Sequence, residues 1–181
     1  MRDKDKRKKK KSSWPLKVFV LAVVLSAVLS FFSSTALEGS GCVIAVIVLA
    51  VFIGLGIAFD MVGVAVTAAD PRPFHSMAAH KEKGGREAVH LLSRANEVSS
   101  FCNDVVGDIC GIVSGSTAAV IVLQLQRSFN TTNILISIGV TALISGLTIG
   151  GKALGKTVAI NDCTNVVYRV ARIMHTLHLF R

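Results

Sequence analysis

The sequence predicts an all-α integral membrane protein with about four transmembrane helices. Of its 181 residues, 51% are apolar, and they are concentrated in long blocks. The blocks cover about 18–37, 42–69, 101–125 and 134–151, each near the roughly 20 residues that span the hydrocarbon core of a bilayer. A soluble domain of this length would alternate apolar and polar residues more often. We therefore expect a multi-pass protein of the cell membrane.

The first block follows a basic tail, residues 1–17, which we expect to be disordered and to lie beside anionic lipid headgroups. Trp14 and Lys17 mark the entry to the bilayer, where such anchors are typical. RNA binding by the lysine run is one alternative, and cleavage of a signal peptide is another. Because the apolar block is longer than the core of a signal peptide and lacks a clean cleavage motif, we expect it to remain as a span.

The second block is too long for a simple span, so we expect it to bend near Gly54 and Gly56 or to continue past the interface. Pro71 and Pro73 then stop the helix. Residues 70–100 are polar and favour helix, and Gly84-Gly85 divides them into two predicted helices on the membrane surface. The sequence thus predicts a helical cytoplasmic loop between the second and third spans.

After the fourth span, apolar side chains recur at helical spacing with arginines between them. This pattern predicts an amphipathic helix in the membrane interface over 161–181, following a transmembrane domain of 18–160. Of the 20 lysines and arginines, all except Arg127 lie in the tail, the 70–100 loop or the segment after Gly151. The positive-inside rule then places both termini in the cytoplasm. This distribution explains the net charge of +9 without a nucleic-acid partner.

Three aspartates, Asp60, Asp104 and Asp108, lie inside the apolar blocks. A carboxylate near the centre of a bilayer costs a few kcal/mol, so it is retained where it faces protein, meets a cation or has a function. Asp104 and Asp108 are four residues apart and share a helix face, beside Asn103. Their oxygens are hard donors suited to Mg²⁺, Ca²⁺ or Na⁺. We therefore take Asp60, Asn103, Asp104 and Asp108 as candidate metal ligands.

Small residues accompany these acids on every candidate face. The members on the third span are Asp104, Gly107, Asp108, Gly111, Gly115 and Ala118, and those on the second are Gly56, Asp60, Gly63 and Thr67. The fourth span carries hydroxyls at Ser137, Thr141, Ser145 and Thr148. The alternative interpretation is that these stripes only bring helices close together. No nucleophile–base pair, phosphate-binding loop or metalloprotease motif occurs in the sequence, so we expect no enzymatic activity.

The order of three motifs resembles the transmembrane module of the CorB/CorC and cyclin M family of Mg²⁺ transport proteins. A long apolar helix runs into Thr67-Ala68-Ala69-Asp70, where the family has a Ser-Glu-Thr-Ala-type segment. The segment 101–108, Phe-Cys-Asn-Asp-Val-Val-Gly-Asp, resembles the Gly-Asn-Asn-x-x-Asn helix start of the family. The segment 151–159, Gly-Lys-Ala-Leu-Gly-Lys-Thr-Val-Ala, resembles its Gly-Glu-x-x-Pro-Lys-Thr-x-Ala motif. The resemblance covers roughly 42–175.

The resemblance implies a homodimer that binds dehydrated Mg²⁺ through side chains of facing helices. Two family asparagines would fall on Asp104 and Asp108, and the family serine would fall near Asp60. Lys152 replaces an acidic residue of the family motif and Gly155 replaces its proline. The nucleotide-binding CBS domains of many relatives have no counterpart here, so ATP-linked regulation is not implied.

The leading hypothesis is a Mg²⁺ transport or binding protein of the lipid bilayer, with Na⁺ as a possible coupling ion. A second hypothesis is a non-transporting scaffold or regulator, in which Lys152 or Lys156 neutralises the buried aspartates. A third is a proton-coupled small-molecule exporter that uses the same acids as proton relays. The residue pattern alone leaves all three open.

Overall fold

The computed structural model describes residues 14–38, 41–128 and 134–177, and every regular element in these ranges is helical. The elements in chain order are α1 (Trp14–Leu37), α2 (Cys42–Ala68), α3 (Arg72–Ala79), α4 (Gly85–Ser93), α5 (Ala95–Ser100), a π-helical segment (Phe101–Gly107), α6 (Asp108–Ser128), α7 (Ile134–Asn161) and α8 (Cys163–Thr176).

Four helical stretches are long and apolar enough to cross a membrane, which confirms the predicted fold class. They are Val18–Leu37, Cys42–Ala68, Ala95–Ser128 and Ile134–Asn161. The third stretch is a continuous rod made of α5, the π-helical segment and α6. It begins six residues before the predicted span. Helix α7 extends ten residues past the predicted end at Gly151, and α1 already begins at Trp14.

The prolines after α2 end this helix as expected. Ala69 is extended, and the backbone N–H of Arg72 donates to Asp70 Oδ1 at 2.9 Å. A proline in the first turn of α3 suits the new helix, because its missing N–H would have no partner there. Before α4, Gly84 adopts φ +91°, a left-handed conformation that glycine enters without steric cost. The loop therefore forms three helices, α3, α4 and α5, where two were predicted.

Helices α3, α4 and α8 close over one end of the four-helix bundle, which we call the capped end. Its core consists of Ala65, Val66, Phe74, Ala88, Leu91, Ala159, Val167 and Ala171. Phe74 and Val167 are fully buried among protein side chains. The sequence predicts these short helices on the membrane surface. In the structure α3 packs on α4, α4 packs on α8, and α8 packs on α2.

One polar contact joins α4 to α8 across the capped end. The ring Nδ1 of His175 lies 2.8 Å from Glu87 Oε1. This hydrogen bond lowers the pKa of the Glu87 carboxyl below 4.5, its ordinary value. The structure does not describe residues 1–13, 39–40, 129–133 and 178–181. The expectations for these residues stay predictions.

Candidate functional site

The stripe of small residues on α2 is packed against the rod that begins at α5. Gly56, Asp60 and Gly63 are all buried. A Cβ added at Gly56 would lie 3.2 Å from Cys110 Cβ, and one added at Gly63 would collide with the Asn103 amide. A side chain at position 63 would force the Asn103 amide to move. The predicted stripe thus places Asp60 at a tight helix–helix contact.

Asp60 is the one acidic side chain among the described residues that is buried, at 4% exposure. Its Oδ2 atom lies 3.4 Å from the Nζ of Lys156 on α7. The contact is an ion pair without a hydrogen bond, because Oδ2 has no hydrogen-bond partner in the described structure. A buried carboxylate needs a compensating cation. Here the cation is the Lys156 ammonium, which forms an ion pair with Asp60 but donates no hydrogen bond to Oδ2.

Asn103 approaches the same place from the π-helical segment. Its Nδ2 donates to Ser99 Oγ at 3.3 Å, while its Oδ1 is buried and has no hydrogen-bond partner. The amide lies against Gly63, which is three residues after Asp60 and therefore on the same face of α2. Two buried oxygens without hydrogen-bond partners thus occur on facing elements, and the Asn103 amide meets α2 three residues after Asp60.

The segment Phe101–Gly107 is a π-helix inside the membrane-length rod. Such wider turns are rare and are frequent at functional sites, because they displace side chains and backbone groups from their α-helical positions. Lys152 of α7 donates from Nζ to the carbonyl oxygen of Gly107 at 3.4 Å, where the π-helix ends. Helix α7 therefore directs two ammonium groups, four residues apart, toward the rod and α2.

Asp104 and Asp108 differ from Asp60 and Asn103 in their exposure. Both are exposed. Asp104 Oδ2 accepts a hydrogen bond from Ser100 Oγ at 2.7 Å, and Asp108 begins α6. Within the described residues no three His, Cys, Asp or Glu side chains are close enough to hold a metal ion. The four predicted ligands are therefore divided: Asp60 and Asn103 carry buried oxygens, and Asp104 and Asp108 are exposed.

The sequence interpretation missed Ser99 and left the partner of Asp60 open between Lys152 and Lys156. The structure places Lys156 beside the carboxylate and gives Lys152 a backbone carbonyl instead. The four-residue spacing of Ser99 and Asn103 was a visible signal for their hydrogen bond.

The comparisons with family models, curated proteins and solved structures found no match to this chain. The resemblance to the CorB/CorC and cyclin M family stays a prediction.

Proposed function

We propose that this membrane protein binds and transports a cation, with Mg²⁺ as the favoured ion and Na⁺ as a possible coupling ion. The observation that carries this proposal is the pair of buried oxygens, Asp60 Oδ2 and Asn103 Oδ1, that have no hydrogen-bond partner in the described residues. An unpartnered buried oxygen is costly unless something positive or a donor meets it. A cation between α2 and the π-helical segment would satisfy both.

The donor set suits a hard cation that keeps part of its water. Mg²⁺ is usually held by one or two carboxylates and retains several water molecules. Asp60 would supply the carboxylate, Asn103 the amide oxygen and Ser99 a hydroxyl oxygen. The exposed Asp104 and Asp108 would attract cations to the entrance without entering the coordination sphere. Sulfur and imidazole ligands, which softer metals prefer, are absent from this donor set.

The charge distribution supports a cytoplasmic position for the capped end, in accordance with the positive-inside rule. The site would then exchange its ion with the cytoplasm past the exposed Asp104 and Asp108. A homodimer, which the family resemblance implies, is part of the same proposal.

A second candidate function is a non-transporting membrane scaffold or regulator. The observation that favours it is the placement of Lys156, whose ammonium lies 3.4 Å from Asp60. If this lysine never leaves, the carboxylate is neutralised permanently and the glycines only pack helices. The bond from Lys152 to the Gly107 carbonyl would then reinforce the same packing.

Thermal unfolding of the purified full-length protein in detergent, measured across a Mg²⁺ titration, tests the cation site. We expect Mg²⁺ to raise the melting temperature of the wild type and to lose this effect in Asp60→Asn and in Asn103→Ala. Glu97→Gln is the matched control, because it removes an exposed carboxylate from the rod that carries Asn103 and should leave the response unchanged. An equal Mg²⁺ response in Asp60→Asn would rule out this site.

Flux into liposomes separates the two functions. A Mg²⁺-sensitive dye inside vesicles should report uptake by the wild type and none by Asp60→Asn, with both proteins verified as folded by circular dichroism. Absence of flux in the folded wild type, together with absence of stabilisation by Mg²⁺, would favour the scaffold. A Na⁺-sensitive dye in the same vesicles, with Na⁺ in place of Mg²⁺ outside, determines whether Na⁺ is also carried.

A further inference from the structure

The two members of the Asp60–Lys156 pair have very different access to solvent. The Asp60 side chain is 6% exposed, whereas that of Lys156 is 49% exposed. The carboxylate is fixed on α2 in a tight contact, but the ammonium is carried by a flexible four-carbon chain that already reaches the surface. One partner is therefore held in place and the other is free to leave.

We propose that Lys156 is a displaceable counter-ion, so that the site holds either its ammonium or a metal cation but not both. This inference rests on the proposed cation site and concerns its regulation. In the ion-free state the Lys156 ammonium neutralises Asp60. When an ion binds to Asp60, the ammonium moves out of the site. The affinity of the site for its ion is then set by competition with a residue of the same chain.

Geometry supports an exchange of this kind. At 3.4 Å, without a hydrogen bond to Oδ2, the ammonium neutralises the carboxylate but does not saturate it. A second positive charge within contact distance of the same carboxylate would meet strong repulsion at low dielectric, so the two cations exclude each other. The lysine loses few protein contacts on leaving, because about half of its side chain already lies outside the packed structure.

Lys152 provides a contrast on the same helix. It lies one turn before Lys156 and donates to the backbone carbonyl of Gly107 rather than to a carboxylate. An ion bound at Asp60 does not compete for that carbonyl. We therefore expect Lys156 to respond to the ion and Lys152 to respond much less, which makes Lys152 an internal control in every sample.

Amine labelling followed by mass spectrometry measures the exchange directly. The wild-type protein in detergent is treated briefly with an acetylating reagent with and without saturating Mg²⁺, and the modification of each lysine is quantified. We expect Mg²⁺ to increase labelling of Lys156 several-fold and to leave Lys152 within experimental error. Unchanged or decreased labelling of Lys156, in protein that Mg²⁺ stabilises, would overturn the proposed displacement.

Two variants test the competition by a second route. Lys156→Met removes the competing cation, and we expect half-maximal thermal stabilisation at a Mg²⁺ concentration lower by on the order of tenfold. Lys156→Arg retains the charge and adds fork-shaped donors that fit a carboxylate, so it should need more Mg²⁺ than the wild type. If Lys156→Met misfolds, the arginine variant still carries the test.

The outcomes distinguish this inference from the proposed function on which it rests. Equal Mg²⁺ affinity in the wild type and both variants would leave the cation site standing and overturn the displacement. A response to Mg²⁺ in Lys156→Met alone would support the competition and overturn transport by the wild type. No response in any of the proteins would overturn both proposals.

Discussion

Glycines at the capped end and glycines on the membrane-spanning face of α6 and α7 occupy opposite environments. A Cβ at Gly85 would lie 2.8 Å from the backbone nitrogen of Ala78, and one at Gly155 would lie 2.9 Å from Ile57 Cγ2. At Gly111 and Gly115 an added Cβ would meet nothing within 4 Å. The same residue type therefore marks a filled contact at one end of the bundle and an open surface at the other.

The open glycines border a groove of about 250 Å³ between α6 and α7. Ser114 and Thr141 are among the residues that line it. Helix α7 is largely exposed along its membrane-length part, in contrast to its last turns, where Gly155 and Ala159 are buried. Helix α7 is therefore packed against protein in its last turns and leaves one face open along the groove.

The largest contrast is expected from the two lysines of α7. Lys156→Met, measured without divalent cations, leaves the buried Asp60 carboxylate uncompensated. Because Lys156 is about half exposed, we expect a loss of about 3 kcal/mol, at the lower end of the values for buried pairs. Lys152→Met removes one long bond to a carbonyl and should cost about 1 kcal/mol or less. Unfolding free energies from denaturant titration in detergent measure both. Equal losses would show that Asp60 does not depend on Lys156.

The next contrast is between glycines. Gly85→Ala forces a methyl group against the backbone of α3, which has no flexible end to move away, and overpacking of this kind costs about 1–3 kcal/mol. Gly115→Ala places the same methyl group in open space and should leave stability unchanged or slightly raised. Melting temperatures of the two variants compare the regions directly. A larger loss in Gly115→Ala would mean that another molecule fills the groove.

A smaller contrast concerns two buried hydroxyls of α6. Thr117 Oγ1 donates to the Val113 carbonyl at 2.9 Å and lies 3.3 Å from Ser33 Oγ on α1, so Thr117→Val should cost about 1 kcal/mol. Ser114 Oγ has no hydrogen-bond partner in the described residues, so Ser114→Ala should be neutral or stabilising. Thermal unfolding in one detergent measures both. Destabilisation by Ser114→Ala would reveal a partner for its hydroxyl in the assembled protein.

The fold class was predictable because an apolar block of membrane length is compatible with few structures other than a transmembrane helix. The cap was less so, since helical periodicity in α8 marks a buried face without saying whether lipid or protein covers it. The helical spacing of Val166, Val170 and Ile173 predicts an apolar face, whereas the buried residues of α8 are Val167 and Ala171. The π-helical segment was not predictable, because the residue types in a π-helix do not differ from those in an α-helix.

The candidate site was predictable in its parts but not in its grouping. Asp60 and Asn103 were both singled out, yet spacing along one helix favoured Asp104 with Asp108 as the central pair. Contact between α2 and the rod decided otherwise, since Gly63 brings Asn103 toward α2 while Asp104 is exposed. Such distances between helices are set by side-chain packing. In a single sequence, the sign of close packing is the presence of glycines, which allow two helices to approach closely.

The smallest expected effect is the pH dependence of the capped end. The hydrogen bond from His175 holds the pKa of the Glu87 carboxyl below 4.5 in the folded protein. Its stabilising contribution is therefore complete above about pH 4.5 and is lost as the pH falls through the lowered folded pKa. An ion pair at a protein surface contributes about 1 kcal/mol or less. We expect Glu87→Gln to lower the melting temperature slightly at pH 6 and to match the wild type at the acidic end of the titration. Glu82→Gln, at an exposed position before α4, is the control, and its melting temperature should follow that of the wild type at every pH. If the melting temperatures of Glu87→Gln and the wild type run parallel across the pH range, α4 and α8 are held together by their apolar contacts alone.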